Sequence, residues 1–305
     1  MKTRSSLVAL VIAMTCPLLA PAAEAAKKQP DLALTEGALK GKDVHFIGER
    51  LKLDAQDATI NLGAAKAGPT LTRMYLAPGG GKKNYIELSS RAVGALKPGK
   101  IDRGSEGVRP SLRIPPGGYA IVVCVDVKDQ VAESDEGNNC SQASSPDRFY
   151  AAYREWEGSI TGTAPGVLTP DAIETWKSTD ATFEYKRHVI GQFQYGVAGG
   201  SVTFKFSGSS STCGGYAGGG TFALDRNYGA LYIDYNSKKY TGAAGPTLGS
   251  QYNLTSACGQ DTWGAHGSIF NPQGVNLPKE ASELKGAAAE PTGLGGNFTW
   301  ALEGK

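Results

Sequence analysis

Five short runs in the second half of the chain alternate apolar and polar residues with a period of two. "SVTFKF" sends Val202, Phe204 and Phe206 to one face and Thr203 and Lys205 to the other. "ATFEYK" does the same with Phe183 and Tyr185, and "QFQYGV" with Phe193, Tyr195 and Val197. "ALYIDY" offers Leu231, Ile233 and Tyr235, and "NFTWAL" offers Phe298, Trp300 and Leu302. A helix repeats every 3.6 residues and would scatter these side chains around its circumference, whereas a strand collects them on one face. Gly-rich turns divide the runs, so they predict antiparallel strands with one buried face. The segments "WEGSITG" and "NFTWALEG" are expected to be neighbouring strands closing a sandwich or small barrel. Between them, "LPKEASELKGAAAEPTGLGG" reads as a loop with one helical turn.

The first half is built from short apolar runs between turn clusters. In "PSLRIPPGGYAIVVCVDV" the glycine turn precedes a strand that puts Tyr119, Ile121, Val123 and Val125 on one face and Cys124 on the other. Polar "SQASSPDR", Ser141–Arg148, reads as a linker. At the amino terminus Lys2 and Arg4 precede the apolar "LVALVIAMTCPLLA", with small residues at Ala23–Ala25, the pattern of a secretory signal. The expected organisation is a signal peptide over 1–25, a first domain over 30–141, a linker over 142–148 and a second domain over 149–305. The alternating runs are mostly too short and too charged for an outer-membrane barrel, so no integral membrane protein is expected. With 31 basic and 29 acidic residues spread along the chain, no basic stripe suits a nucleic acid.

The stretch "VAESDEGNNC", Val131–Cys140, could be a metal loop, an acidic site or a tight turn. Asp and Asn side chains bond nearby backbone amides, and Asp, Asn and Gly all tolerate left-handed backbone, so Asp135, Gly137, Asn138 and Asn139 read as a turn. Asp135, Glu136 and Asn138 are the calcium candidates, although the EF-hand spacing is absent. Taken together, "PDLAL", "INLGAAKAGPTLTRMYLAP" and "GGYAIVVCVDVKDQVAESDEGNNC" resemble the CARDB family, bacterial cell-adhesion-related domains. The resemblance implies an immunoglobulin-like seven-stranded β-sandwich over about Pro30–Ser141. It also implies that Asn61-Leu62-Gly63 is the family's turn, that Tyr75 lies in its Tyr-Leu strand, and that Asp126, Glu133, Glu136, Asn138 and Asn139 form its closing signature. The polar segment "KNYIELSSRAVGALKPGKIDRGSEG" is left without a place in that frame. The second domain matches no familiar pattern, and the fold expected overall is all-β.

Once Cys16 leaves with the signal, Cys124, Cys140, Cys213 and Cys258 remain, an even set in an exported chain. Four cysteines allow three connectivities; grouping favours Cys124–Cys140 and Cys213–Cys258. No zinc spacing, nucleophile elbow or dinucleotide loop occurs, and no cofactor is expected. Of His45, His188 and His266, the last is the best candidate, in "WGAHGSIF" beside Trp263 and Asp261. The second disulfide could bring Tyr216 and Trp263 together as a stacking surface. The expected function is non-catalytic adhesion or ligand binding at the cell envelope or outside the cell, toward a polysaccharide or a protein. The competing expectation is a secreted hydrolase, or its accessory subunit, with a site near His266.

Overall fold

The computed structural model describes residues 28–79, 84–108, 112–142, 148–166, 171–279, 281–289 and 295–305. The signal expected over 1–25 lies outside them, as do residues 143–147 of the linker. Every regular element among the described residues is a β-strand. The first nine are β1 (Leu32–Gly41), β2 (Val44–Phe46), β3 (Leu53–Asn61), β4 (Thr70–Pro78), β5 (Ile86–Val93), β6 (Ile101–Gly107), β7 (Gly117–Cys124), β8 (Cys140–Gln142) and β9 (Arg148–Ala152).

They form two facing sheets. One has the order β1-β3-β6; the other runs β2-β9-β7-β4-β5, with β8 also paired to β7. Leu53, Met74, Leu76, Leu88, Ile121 and Val123 fill the space between them. Alternation along β7 follows the expected phase: Tyr119, Ile121 and Val123 enter that core, while Val122 and Cys124 face the other way. Seven longer strands make the sandwich, and β2 and β8 are three-residue additions. The unplaced polar segment supplies β5 and β6, whose Arg91 and Asp102 pair with one another between the sheets, Arg91 also holding buried Asp57 of β3.

The boundary between the halves differs from the expected one. Residues 148–152, assigned to the linker and the second domain, form β9, which pairs with β7 in the first sandwich. Its side chains serve both domains: Phe149 and Ala151 pack in the first core, Tyr150 and Ala152 in the second. A strand buried on both faces shows no polar alternation, so its sequence could not declare its sheet. The parallel neighbour β2 adds Val44 and Phe46 to the second core. Around this joint the Arg154 guanidinium lies 4.2 Å from the Phe46 ring centroid and donates to Glu49 at 2.9 Å.

The second domain continues with β10 (Glu155–Pro165), β11 (Ile173–Val189), β12 (Gln192–Gly199), β13 (Ser201–Ser210), β14 (Gly214–Asp234) and β15 (Lys239–Pro246). It ends with β16 (Gln251–Ser256), β17 (Gly259–Gly264), β18 (Val275–Asn276), β19 (Glu283–Ala289) and β20 (Asn297–Gly304). One sheet path runs β17-β16-β14-β12-β11-β10-β20-β19, with β13 bridging β11 and β14. Among the described residues the two ends of this path do not pair, so no hydrogen-bonded barrel closes through them. Two long strands make the fold possible. Ile173–Lys177 of β11 pair with β13, while Thr182–Val189 pair with β12. In β14 the first half pairs with β13 and the second with β12 and β15. The resulting layers enclose Trp156, Trp176, Phe183, Phe204, Phe270 and Trp300.

The expected neighbours "WEGSITG" and "NFTWALEG" are paired as β10 and β20, Ile160 opposite Trp300 and Gly162 opposite Phe298. The expected loop over "LPKEASELKGAAAEPTGLGG" is corrected: Glu283–Ala289 form the edge strand β19 on β20. The reason is local. Leu284 is fully buried, and a Cβ at Gly286 would lie 2.5 Å from the Trp300 ring, so a glycine lets the strand approach closely. Three alanines and a glycine hid that strand from propensity.

Candidate functional site

The acidic stretch ahead of Cys140 is a turn braced by several of its own side chains, while Glu133 Oε1, Asn138 Oδ1 and Asn139 Oδ1 are buried without a hydrogen-bond partner among the described residues. The Gly137 amide donates to Asp135 Oδ1 at 2.8 Å. The Glu133 amide donates to Glu136 Oε1 and the Asn139 side-chain amide to Glu136 Oε2, both at 3.0 Å. Asn138 Nδ2 donates to Asp31 Oδ1 at 2.7 Å, tying the turn to the start of the sandwich. Buried Asp126 accepts the Gln130 and Val131 amides at 3.0 and 2.8 Å and the Thr70 hydroxyl. Asn61 does equivalent work at the other turn, accepting the Gly63 amide at 3.0 Å and donating to the Ala65 and Leu96 carbonyls. Among the described residues, no group of three His, Cys, Asp or Glu is arranged to hold a metal. Of the calcium candidates, Asp135 and Glu136 accept amides within the turn and Asn138 ties it to Asp31.

Both cysteine pairs favoured by grouping are bonded: Cys124 with Cys140, and Cys213 with Cys258. The second bridge joins the start of β14 to the β16–β17 turn. It does not make a Tyr216–Trp263 platform. Ala217 faces Thr255, while Trp263 faces Tyr252, so the two rings are about four strand residues, roughly 13 Å, apart along the sheet. Trp263 instead packs against Phe206, centroids 5.9 Å apart. Asp261 is exposed on β17 and accepts the Thr262 amide at 2.7 Å.

His266 belongs to a buried cluster that the sequence reading missed. Its Nδ1 is 3.6 Å from Glu174 Oε2, with both side chains less than a tenth exposed. Its ring stacks on Trp176, 4.9 Å between centroids and 6° between planes. The Tyr252 hydroxyl donates to Glu174 Oε1 at 2.8 Å. Burial pushes the Glu174 carboxyl above its usual range, against the opposing pull of Tyr252 and His266. The Tyr252 hydroxyl is raised by burial and by Glu174. This carboxylate, imidazole and phenol satisfy one another inside the fold, with little surface for a substrate to reach. One signal could have revealed Glu174: it is in phase with Trp176 and so had to face the core.

A concavity lies elsewhere, on the outward face of β20, β10, β11 and β13. It has a volume of about 710 Å³. Strand register aligns its polar residues in rows. Thr299 faces Thr161, Thr161 faces Lys177, Lys177 faces Thr203 and Thr203 faces Thr221. The next row runs Asn297, Thr163, Thr175 and Lys205. Hydroxyls of Thr161 and Thr299 are 2.8 Å apart, and those of Thr203 and Thr221 2.9 Å. The intervening positions Ile160, Trp176, Phe204 and Phe298 point into the core. Alternation had already sent Thr203 and Lys205 to the polar side, but only strand order shows that five strands superpose theirs.

Residues 29–143 match the model of the CARDB family. No curated protein matches the chain. Among solved structures, the chain is similar to a CARDB domain of Pyrococcus furiosus crystallised in complex with di-metal ions. Identity is 24%, coverage 41% of this chain and 94% of that one, and TM-score 0.30. A solution structure of that domain gives 22% identity, coverage of 41% and 96%, and TM-score 0.29. A Methanosarcina acetivorans domain, from a protein assigned to the cell surface, gives 16% identity, coverage of 40% and 92%, and TM-score 0.28.

Proposed function

We propose that this is an exported, non-catalytic adhesion or ligand-binding protein of the cell envelope or extracellular space. The first domain serves as a disulfide-tied spacer, and the second carries recognition of a polysaccharide or protein. The observation that carries this reading is the polar trough over β20, β10, β11 and β13. It gathers hydroxyls and ammonium groups on a rigid sheet backed by a packed aromatic core. The match to a cell-adhesion-related family over 29–143 supports the spacer role. The shared strand β9 supports rigidity, because it locks one domain's sheet into the other's core.

The competing reading, a hydrolase centred on His266, rests on the Glu174–His266 pair at 3.6 Å. Both groups are buried and turned toward one another, which favours a structural polar cluster. The discriminating experiment is to measure binding of the chain lacking residues 1–25 to cell-envelope fractions, alongside hydrolase assays. His266→Ala should leave binding within about twofold, since it lies off the trough. Turnover abolished by that substitution would replace the binding reading with the enzymatic one.

A further inference from the structure

We infer that the trough takes an acidic polysaccharide, a chain whose sugars carry carboxylates. The inference rests on the recognition role proposed above and names its ligand class. Two features of the surface point there: how its hydroxyls are arranged and how its charge is left unbalanced.

A threonine hydroxyl has one proton and two lone pairs. In the bonded pairs Thr161–Thr299 and Thr203–Thr221, one hydroxyl donates to the other. Each pair therefore still presents one proton and several lone pairs outward. Sugar hydroxyls are likewise both donors and acceptors and match such a surface in either direction. Strands lie about 4.8 Å apart, so the row from Thr299 to Thr221 extends about 19 Å over five strands. That shape suits an extended chain better than a single small molecule.

Lysine has three donors and no acceptor, and so asks for an anion. Lys177 and Lys205 are exposed and stand diagonally across β11 and β13, their Cβ atoms about 7 Å apart. Among the described residues, neither has a carboxylate within ion-pair distance, and none lines the trough. Two like charges left facing each other are relieved by a bound anion. Nucleic acid fits less well: single strands are held by exposed stacking rings and many cations, whereas this trough has two lysines and the rings that line it, Trp176 and Phe298, are buried. Neutral sugars would use the hydroxyls and leave the lysines unanswered.

The test is calorimetric titration of the chain lacking residues 1–25 with polygalacturonate, dextran and an oligodeoxythymidylate. Polygalacturonate should bind saturably and more weakly as salt is raised. Lys177→Ala with Lys205→Ala should weaken it about tenfold, and Thr161→Val about threefold, with circular dichroism unchanged. Dextran binding as tight as polygalacturonate would overturn the acidic class while leaving the recognition role standing. Equal binding of the oligonucleotide would overturn the sugar. Polygalacturonate binding that ignores both the lysine and threonine variants would overturn the trough as its site. Failure to bind either polysaccharide, together with failure to bind envelope fractions, would remove the recognition role as well.

Discussion

Replacing Glu133 by Gln should make the stability of this protein less sensitive to pH. One Glu133 oxygen accepts the Leu32 amide, while the other is buried without a hydrogen-bond partner among the described residues. Burial pushes the carboxyl up from the ordinary 4.5 to about 7; the Leu32 amide pulls it down, and Glu136, Asp126 and Asp31 add to the rise. Between those two values the folded chain holds a proton that the unfolded chain has released. Stability from this group is therefore greatest below about pH 4.5 and falls as pH rises through about 7. The interval converts to about 3 kcal/mol if no water reaches the carboxyl. Exposed Ser134 and Glu136 beside it admit solvent, which reduces the effect to about 1–2 kcal/mol. A glutamine carbonyl can still accept the Leu32 amide, and its NH₂ can donate toward Glu136. Thermal unfolding followed by circular dichroism should find the two chains equal near pH 5. At pH 8 the variant should melt about 5 °C higher. A gap that is the same at both pH values, or a variant that is less stable at pH 8, would refute the reasoning.

Three further outcomes are expected. Cys213→Ser with Cys258→Ser opens a loop of 45 residues, which the chain-entropy model values at about 4 kcal/mol as an upper figure; denaturant titration read by tryptophan fluorescence measures it. Arg91→Met should cost about 3 kcal/mol, because buried Asp57 loses its guanidinium at 3.0 Å and Asp102 its partner at 2.6 Å; a loss under 1 kcal/mol in urea would show that the pair contributes little. Gly286→Val places side-chain atoms where the Trp300 ring lies, so β19 amides should lose hydrogen-exchange protection while the β20 pairing with β10 persists.

Much of the architecture was legible because period-two alternation is a one-dimensional record of which face is buried. Val202, Phe204 and Phe206 occupy the core in the phase read from "SVTFKF", and β10 lies beside β20 as their paired patterns implied. The acidic turn was legible for a similar reason: Asp135 and Glu136 accept backbone amides two and three residues away. The strands β9 and β19 were not legible. The first is buried on both faces, and the second is an edge of alanines and glycine shaped by Trp300. The expected Tyr216–Trp263 surface failed because a disulfide fixes where two strands meet but not which rows face one another.

The sequence by itself determined the strand character of the alternating segments, the phase of their buried faces, the cysteine grouping and the nature of the closing turn. These depend on contacts within a strand or across a short loop. Only the tertiary structure decided that Glu174 would meet His266, 92 positions away, and that Thr299, Thr161, Lys177 and Thr203 would lie in one row. Those juxtapositions depend on strand order and register, set by packing Trp156, Trp176, Phe204 and Trp300 into one core. Outward threonines carry no mark of their neighbours, because the same alternation would be written whichever strands stood beside them.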